Sequence, residues 1–409
     1  MTRSHLLCCV LLLPACTTAP ASTPDSASTS DAGSDADGSS SSAASEATTN
    51  APSDSSGAPD DSPSGSERWR STLGPGRAAA VAVAQDDHSV VVGTDDPFGG
   101  RAWAIAVDPD GAVQWKRVLA QPDGHAQYND VAIAPSGDVW VVGYRARSIL
   151  GPAYSIVLER LDPGTGDVVF ADPGQDVDLP ANSGAALESI VVLDDGPLVA
   201  GMRIDDATGE ARPTLWRYDH DGVLAWATSW PVHGVAYDVA VAGDVAIVVG
   251  ATLDGSDPVG AWAGIAALDD GQASQPSLPS GRAELRLAVR GDDEAVWAIG
   301  SSFGKNEHGF DAELGGMFSI AVSGELGAAV ELPAQLRGAA LREGGELVVV
   351  DDDGRVRGIA LDATITWELD DSIAVRLTNA DALAIASDGD VLVAGGFDTM
   401  ELAKIAPPA

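Results

Sequence analysis

Glycines recur along this chain at a nearly fixed interval, and that interval restricts what the chain can fold into. Gly93, Gly143, Gly201, Gly250, Gly300 and Gly395 are separated by 50, 58, 49, 50 and 95 residues. The last step spans two repeats, with Val350 and Asp351 in the vacant place. Each position closes a pair of apolar strands joined by a turn rich in Gly or Asp. The pairs run from Ala79 to Gly93, Asp130 to Gly143, Glu188 to Gly201, Asp238 to Gly250, Leu285 to Gly300, Gly338 to Asp351 and Ala380 to Gly395. No stretch has the 3.6-residue periodicity of an amphipathic helix. Short strands repeated with turn signals at this period mark a β-propeller or a related β-repeat array.

A third and a fourth strand follow each pair. The first repeat shows them as Trp103 to Val107, the turn Asp108, Pro109, Asp110 and Gly111, then Val113 to Leu119 around Trp115. The arrangement recurs at Leu161 to Phe170, Arg217 to Trp226 and Ile359 to Trp367, while repeats four and five lack the aromatic. Four strands make one blade, and seven repeats make a seven-bladed propeller. After Glu401 to Ala406 the last repeat has no room for its fourth strand. Glu67 to Leu73 aligns with Gln114 to Leu119 when Trp69 is set on Trp115. The N-terminal strand is therefore expected to complete the C-terminal blade, closing the ring and removing its open edges.

The 66 residues ahead of this domain read differently. Thr17 to Ser66 consists mainly of Ser, Ala, Thr, Asp, Pro and Gly, with no aromatic or basic residue, and cannot bury enough apolar surface to offset ordering. As a random coil it spans about 40 Å. Residues 1 to 16 combine Arg3, an uncharged apolar run from Leu6 to Leu13, and Pro14, Ala15 and Cys16. This is a signal peptide, too short to remain as a membrane-spanning helix. Leu13, Pro14, Ala15 and Cys16 resemble the bacterial lipobox, although Pro14 is a less usual occupant. The resemblance implies lipidation of Cys16 and stable anchoring through several acyl chains. Thr17 next to it implies the outer membrane as destination within the cell envelope. Ordinary secretion with cleavage near Ala19 to Ala21 is the alternative.

Charge and cysteines narrow the function classes. The net charge is −38, and residues 67 to 409 carry 22 basic against 53 acidic side chains, or −31. Such a surface disfavours nucleic acid and anionic headgroups, and an electrostatically steered partner would be cationic. An acidic shell that only confers solubility accounts for the same numbers. All three cysteines, Cys8, Cys9 and Cys16, precede the tether, so packing alone must hold the domain.

The turn and aromatic signature resembles the tryptophan-docking repeat of quinoprotein-like propellers. Asp162, Thr165 and Gly166 stand in the order of that repeat, with Phe170 in place of the tryptophan. The resemblance extends over about residues 67 to 409 and implies rings wedged between blades, a structural role. The family includes quinone-dependent dehydrogenases and non-enzymatic outer-membrane assembly lipoproteins. The vicinal cysteine pair found over the cofactor in some of those enzymes has no counterpart here, and no cofactor is expected.

Candidate sites follow from chemistry and place. Asp130, Glu188 and Asp238 stand at or next to the start of an innermost strand, where carboxylates would ring the channel mouth and take a cation or a basic peptide. Alternatively, each caps a loop amide. His125 and His233 precede first strands and could share a site, whereas His88 and His220 sit in turns. None of the histidines has a metal-ligand neighbour at short spacing. The Asp-rich turns at Asp108 and at Asp351 to Gly354 lack the distal ligands of a calcium loop, and Asp and Gly suit tight turns for backbone reasons. No nucleophile elbow or phosphate-binding loop occurs in the domain. The longest loops precede third strands, at Tyr144 to Tyr154, Met202 to Pro213 and Ser301 to Gly316. Their Arg145, Arg147, Arg203, Arg212, Phe303 and Phe310 form the expected partner surface. The sequence thus points to a monomeric, membrane-anchored, non-catalytic propeller that binds a protein or peptide. A propeller enzyme with a site at the channel mouth (a quinoprotein-like oxidoreductase, a lyase or a hydrolase) and a structural coat role are the alternatives.

Overall fold

The computed structural model describes residues 66–407 except 97–99, 120–124, 147–153, 172–183, 206, 256, 279–282, 292–294, 306–310, 333, 343, 352, 370–381 and 397–398. Cys16 and the tether lie outside the described residues. Strand β1 (Ser66–Pro75) comes first. Blade one follows with β2 (Arg77–Val83), β3 (Ser89–Thr94), β4 (Ala102–Val107) and β5 (Val113–Leu119). Blade two has β6 (His125–Ile133), β7 (Val139–Ala146), β8 (Tyr154–Leu161) and β9 (Val168–Ala171). Blade three has β10 (Ala185–Leu193), β11 (Gly196–Ile204), β12 (Ala211–Tyr218) and β13 (Leu224–Ser229). Blade four has β14 (Gly234–Ala242), β15 (Val245–Asp254), β16 (Asp257–Ala267) and β17 (Ala273–Ser274). Blade five has β18 (Ala283–Arg290), β19 (Ala295–Lys305), β20 (Asp311–Ala321) and β21 (Val330–Leu332). Blade six has β22 (Leu336–Leu341), β23 (Leu347–Asp351), β24 (Val356–Ile359) and β25 (Ile365–Glu368). Blade seven has β26 (Ala382–Ile385), β27 (Val391–Gly395) and β28 (Thr399–Ala406).

Every blade is an antiparallel meander, and β1 pairs with β28 as the fourth strand of blade seven. The first strand of each blade touches that of the next, through β2, β6, β10, β14, β18, β22 and β26 and back to β2. This closed cycle makes a seven-bladed propeller with the first strands around its channel. Closure by the N-terminal strand is as expected from the unpaired Trp69 segment.

Burial follows the radial order of the strands. β3 is buried at every position because both of its faces meet neighbouring blades, whereas β13 alternates between half-buried and exposed residues. Among the described residues each of the seven seams between blades holds one core cluster. At the closing seam Leu73, Val81, Trp103, Ile105, Leu392, Met400 and Leu402 pack together.

The closing glycines have a common cause. Six first strands carry a β-bulge, at Ala79, Asn129, Glu188, Tyr237, Arg286 and Arg337, and each glycine pairs with the residue just before the bulge. A Cβ at Gly93, Gly143, Gly201, Gly250 or Gly300 would run into the carbonyl oxygen of Arg77, Gln127, Ala186, Val235 or Glu284. Asp351 occupies the same register opposite Leu336, the first residue of β22, and its side chain forms a buried ion pair with Arg357 at 2.7 Å.

Outer-strand aromatics join four of the seven seams. Trp69 lies against Gly111 of blade one, Trp115 against Gly166 of blade two, Phe170 against Gly222 of blade three and Trp226 against Gly271 of blade four. The indole N–H groups of Trp69, Trp115 and Trp226 donate to the carbonyls of Pro109, Pro163 and Leu268 at 2.7, 2.8 and 3.3 Å. Such a turn needs positive φ and leaves no room for a Cβ under the ring, so glycine meets both demands.

Candidate functional site

The start of each first strand pairs with the end of the second, so the hairpins between second and third strands crown that end of the channel. These hairpins differ in height above the closing glycine. β3 extends past Gly93 only to Thr94, and β23 and β27 stop at Asp351 and Gly395. By contrast β7 continues from Gly143 to Ala146, β11 from Gly201 to Ile204, β15 from Gly250 to Asp254 and β19 from Gly300 to Lys305. Blades two to five therefore raise a crescent, whereas in blades six, seven and one the second strand ends at the closing position or one residue past it. Ala186, Met202, Ala211, Val235 and Leu253, with Tyr144 and Tyr237 against them, form an apolar cluster joining the hairpins of blades two, three and four.

This revises the expected loops. Most of each is strand, leaving only 147–153, 205–210 and 306–310 between strands, because cross-strand pairing continues through polar residues. Arg145, Arg203 and Arg212 thus lie in β7, β11 and β12. Arg145 approaches Glu159 at 3.6 Å, and Arg212 pairs with Asp205 at 2.8 Å. Arg147, Phe310 and the side chain of Phe303 lie outside the described residues.

Below the crescent, the bulges set the chemistry of the channel wall. Residues before the bulge, such as Tyr128, Leu187, Ala236 and Leu285, are buried between blades, whereas the bulge residues Asn129, Glu188, Tyr237 and Arg286 are partly accessible. First strands have no sheet neighbour on their inner edge, so this accessibility is to the channel. The amide of Asn129 donates to the Leu187 carbonyl at 2.8 Å and to Glu188 Oε2 at 3.1 Å. The Arg286 guanidinium lies 5.2 Å from the centre of the Tyr237 ring, and its Nε donates to Glu284 Oε1 at 2.7 Å. Burial pushes the Glu188 carboxyl up to about 7, against the attraction of Arg286.

Asp130 and Asp238 do different work. They lie inside β6 and β14, one residue past the bulge, and not at strand starts. Asp130 accepts the amides of Val131 at 2.8 Å and of Ile190, in the next blade, at 2.9 Å. Asp238 accepts the Val239 amide, the Ser189 hydroxyl at 2.6 Å and the Ala288 amide at 2.7 Å, clipping blades three, four and five together. Burial raises their pKa values, to about 7 for Asp130, with repulsion from Asp238 adding, and to about 6 for Asp238. The three carboxylates form an arc over blades two to four, with only Glu188 in a bulge.

The histidines separate. His125 opens β6 in blade two, where its Nε2 lies 3.3 Å from the Tyr144 hydroxyl and burial lowers its pKa. His233 precedes β14 in blade four, so blade three stands between them. The Asp-rich turns spend their carboxylates on backbone amides. Asp108 accepts Asp110 and Ala112, and Asp351 accepts Asp353 and Arg355. Among the described residues no three His, Cys, Asp or Glu side chains converge to hold a metal ion.

Asn129, Tyr237, Arg286 and Glu284 went unrecognised in the sequence. The signal available was position, since each bulge residue lies thirteen or fourteen places ahead of its closing glycine, as Glu188 does of Gly201 and Asn129 of Gly143.

Fold and site together define a seven-bladed propeller with an asymmetric, polar channel mouth. No family model matches the chain, and no curated protein matches it in sequence. Among solved structures it is similar to the WD40 β-propeller domain of Doa1, with 12% identity over 83% of this chain and 96% of that one and a TM-score of 0.53. It is also similar to BamB from Moraxella catarrhalis, with 14% identity over 83% of this chain and 99% of that one and a TM-score of 0.43. At these identities the likeness concerns the fold alone.

Proposed function

We propose that this chain is a non-catalytic binding or scaffold propeller, held to the cell envelope through lipid on Cys16, which receives a protein or peptide partner at the crowned end of its channel. The observation that supports this is the asymmetry of the second-to-third hairpins. The blade sheet does not require tall hairpins, as the second strands of blades six, seven and one show by ending at the closing position or one residue past it. Raised hairpins on four adjacent blades, three of them packed together by the apolar cluster, form the kind of rigid relief on which recognition is built.

A position-specific photocrosslinker tests this in cells. At Arg203, on the crescent, it should capture one discrete partner, whereas at Val118, exposed on the outer strand of blade one, it should not. Equal capture from both positions, or none from Arg203, overturns the reading. The anchor is tested separately. Cys16→Ser should release the protein from the membrane fraction, and an unlipidated N-terminus beyond Ala19 by mass spectrometry would show ordinary secretion instead.

A further inference from the structure

The seam between blades five and six has a turn of the docking kind but no ring upon it. The turn from Ala360 to Ala363 closes as that of blade one does, the Ala363 amide donating to the Ala360 carbonyl as the Gly111 amide donates to that of Asp108. In blade one the preceding blade covers this turn. The Trp69 indole lies on Gly111 and donates to the Pro109 carbonyl, and the Ser71 hydroxyl donates to the Gly111 carbonyl. The matching carbonyls in blade six are those of Leu361 and Ala363. Trp115, Phe170 and Trp226 each stand four residues past a turn glycine, and the same count from Gly324 reaches Ala328, between Gly327 and Ala329. All three are exposed, and Val330 takes the place of Ser71. A recess of about 390 Å³ remains, open to solvent and lined by Glu331 and Leu332 of blade five and by Ala363 and Ile365 of blade six. The other ringless turn is covered from within, since Ile265 Cδ1 of blade four lies 3.3 Å from where a Gly324 Cβ would stand.

We infer that this recess is a docking seat for an aromatic side chain of another protein, which takes the place that a ring of the chain itself takes at four seams. The seat is separate from the crescent, because the turns between third and fourth strands lie at the opposite end of the propeller. Its volume is near the lower limit of ligand clefts, about 300–1,000 Å³, and suits one ring with the backbone that carries it. The two carbonyls offer acceptors for the polar hydrogen of a tryptophan or tyrosine. This chain does not provide the ring. Thr17 to Ser66 contains no aromatic residue, and among the described residues no aromatic side chain is exposed for a second copy to offer. The Ala363 methyl, absent from the glycine turns, holds an incoming ring farther out than Trp69 sits over Gly111. A ring delivered by a partner can shift outward by that distance, whereas one fixed in the fourth strand cannot. Glu331 on the wall and Asp362 beside Ala363 are exposed carboxylates, so a basic residue next to the ring complements the rim.

The test uses the full chain carrying Cys16→Ser and the peptide acetyl-Ser-Lys-Trp-Gly-Ser-amide with a fluorinated indole, followed by fluorine NMR. Its leucine analogue serves as competitor. The fluoroindole resonance should shift and broaden on addition of the protein, and a several-fold excess of the leucine peptide should not reverse the change. Ile365→Asp should weaken binding at least fivefold. Val113→Asp, at the matching exposed position of blade one where Trp69 already fills the seat, should leave it unchanged. Ala363→Gly deepens the seat and should tighten binding several-fold, and adding Ala328→Trp to it rebuilds the internal ring and should abolish binding. A resonance unmoved by the parent protein, reversal by the leucine peptide, or equal losses in Ile365→Asp and Val113→Asp overturns the inference. Should Ile365→Asp fail to fold, Ala363→Gly decides, and an unchanged affinity there overturns it. The crosslink from Arg203 reports on the opposite end of the propeller, so either reading can fail without the other.

Discussion

The seams from blade seven round to blade four differ from those between blades four and seven. In the first group a ring from one blade rests on the glycine turn of the next. In the second group each seam lacks a different part. Blade four has Ser274 in the register of the missing ring, opposite Ile265 as Trp226 is opposite Arg217. Blade five offers no ring either, and the turn of blade six that would receive it carries Ala363 at φ 66° where the others have glycine. Blade six has its ring, Trp367, but blade seven has no turn to receive it, since its third and fourth strands, β28 and β1, are remote in sequence and no tight turn joins them. The Trp367 indole donates instead to Glu346 of its own blade at 3.1 Å. Ring and turn are thus lost independently, since blade five keeps Gly324 with no ring to receive and blade six keeps Trp367 with no turn, and the apolar seam clusters hold the undocked seams.

Among single substitutions, Trp69→Ala should produce the largest effect. It removes a half-buried ring and its hydrogen bond to Pro109 at the seam where the ring of blades is also closed, and a loss of about 2–4 kcal/mol is expected. Deleting Glu67 to Leu73 should go further and abolish cooperative unfolding. Trp367→Ala, at a seam with no docking turn, should cost about half as much. Chemical denaturation measures all three, and equal losses for the two tryptophans would erase the distinction between docked and undocked seams.

Three turn substitutions separate the demands of the ring from those of the backbone. Gly166→Ala places a methyl group against the Trp115 ring at φ 72°, and should cost about 2–3 kcal/mol from overpacking and left-handed strain together. Gly324→Ala has φ 83° but meets only Ile265 Cδ1, at 3.3 Å, so the backbone cost of about 1 kcal/mol should remain. Ala363→Gly relieves the same strain with no ring to accommodate, and should stabilise by several tenths of a kcal/mol. If Gly166→Ala and Gly324→Ala prove equal, the rings impose no steric demand on the turns.

The same contrasts explain what was legible in the sequence. The repeat count and the closure strand could be read because they rest on glycines forced by a bulge and on Trp69 in the register of Trp115. Phe170 could be read as standing in the tryptophan position for the same reason, while its seat on Gly222 came only with the structure. Strand starts were not. Expected starts such as Ala79, Glu188 and Asp238 fall on the bulge or one residue from it, while the strands begin at Arg77, Ala185 and Gly234. A bulge shifts the inside-outside alternation by one residue, so the apolar pattern restarts there and hides the segment before it. The channel-wall residues sit at that break, which is why Asn129, Tyr237 and Arg286 escaped notice and why Asp130 and Asp238 looked like a rim. Contacts between blades, such as Arg286 with Tyr237, join positions a whole repeat apart and leave no local signature.

The smallest effect concerns pH and contrasts the carboxylate arc with the exposed turns. Burial raises the folded pKa of Asp130 and Glu188 to about 7 and of Asp238 to about 6, above the unfolded values near 4. The folded state therefore binds more protons than the unfolded chain between those values, and stability should rise as pH falls from 8 to 5. Turn carboxylates such as Asp205 and Asp362 are held below the usual range by backbone amides, so their contribution is lost only below about pH 4. Relief of the general acidic repulsion has the same sign as the arc, so the parent protein alone cannot separate them. Glu188→Gln can, because it removes one titrating group from the arc while changing the net charge by a single unit. The melting temperature should rise by a few degrees between pH 8 and pH 5 in the parent and by measurably less in the variant. Identical slopes would mean that Glu188 titrates as a solvated carboxylate and that the channel wall does not hold it as the surrounding packing implies.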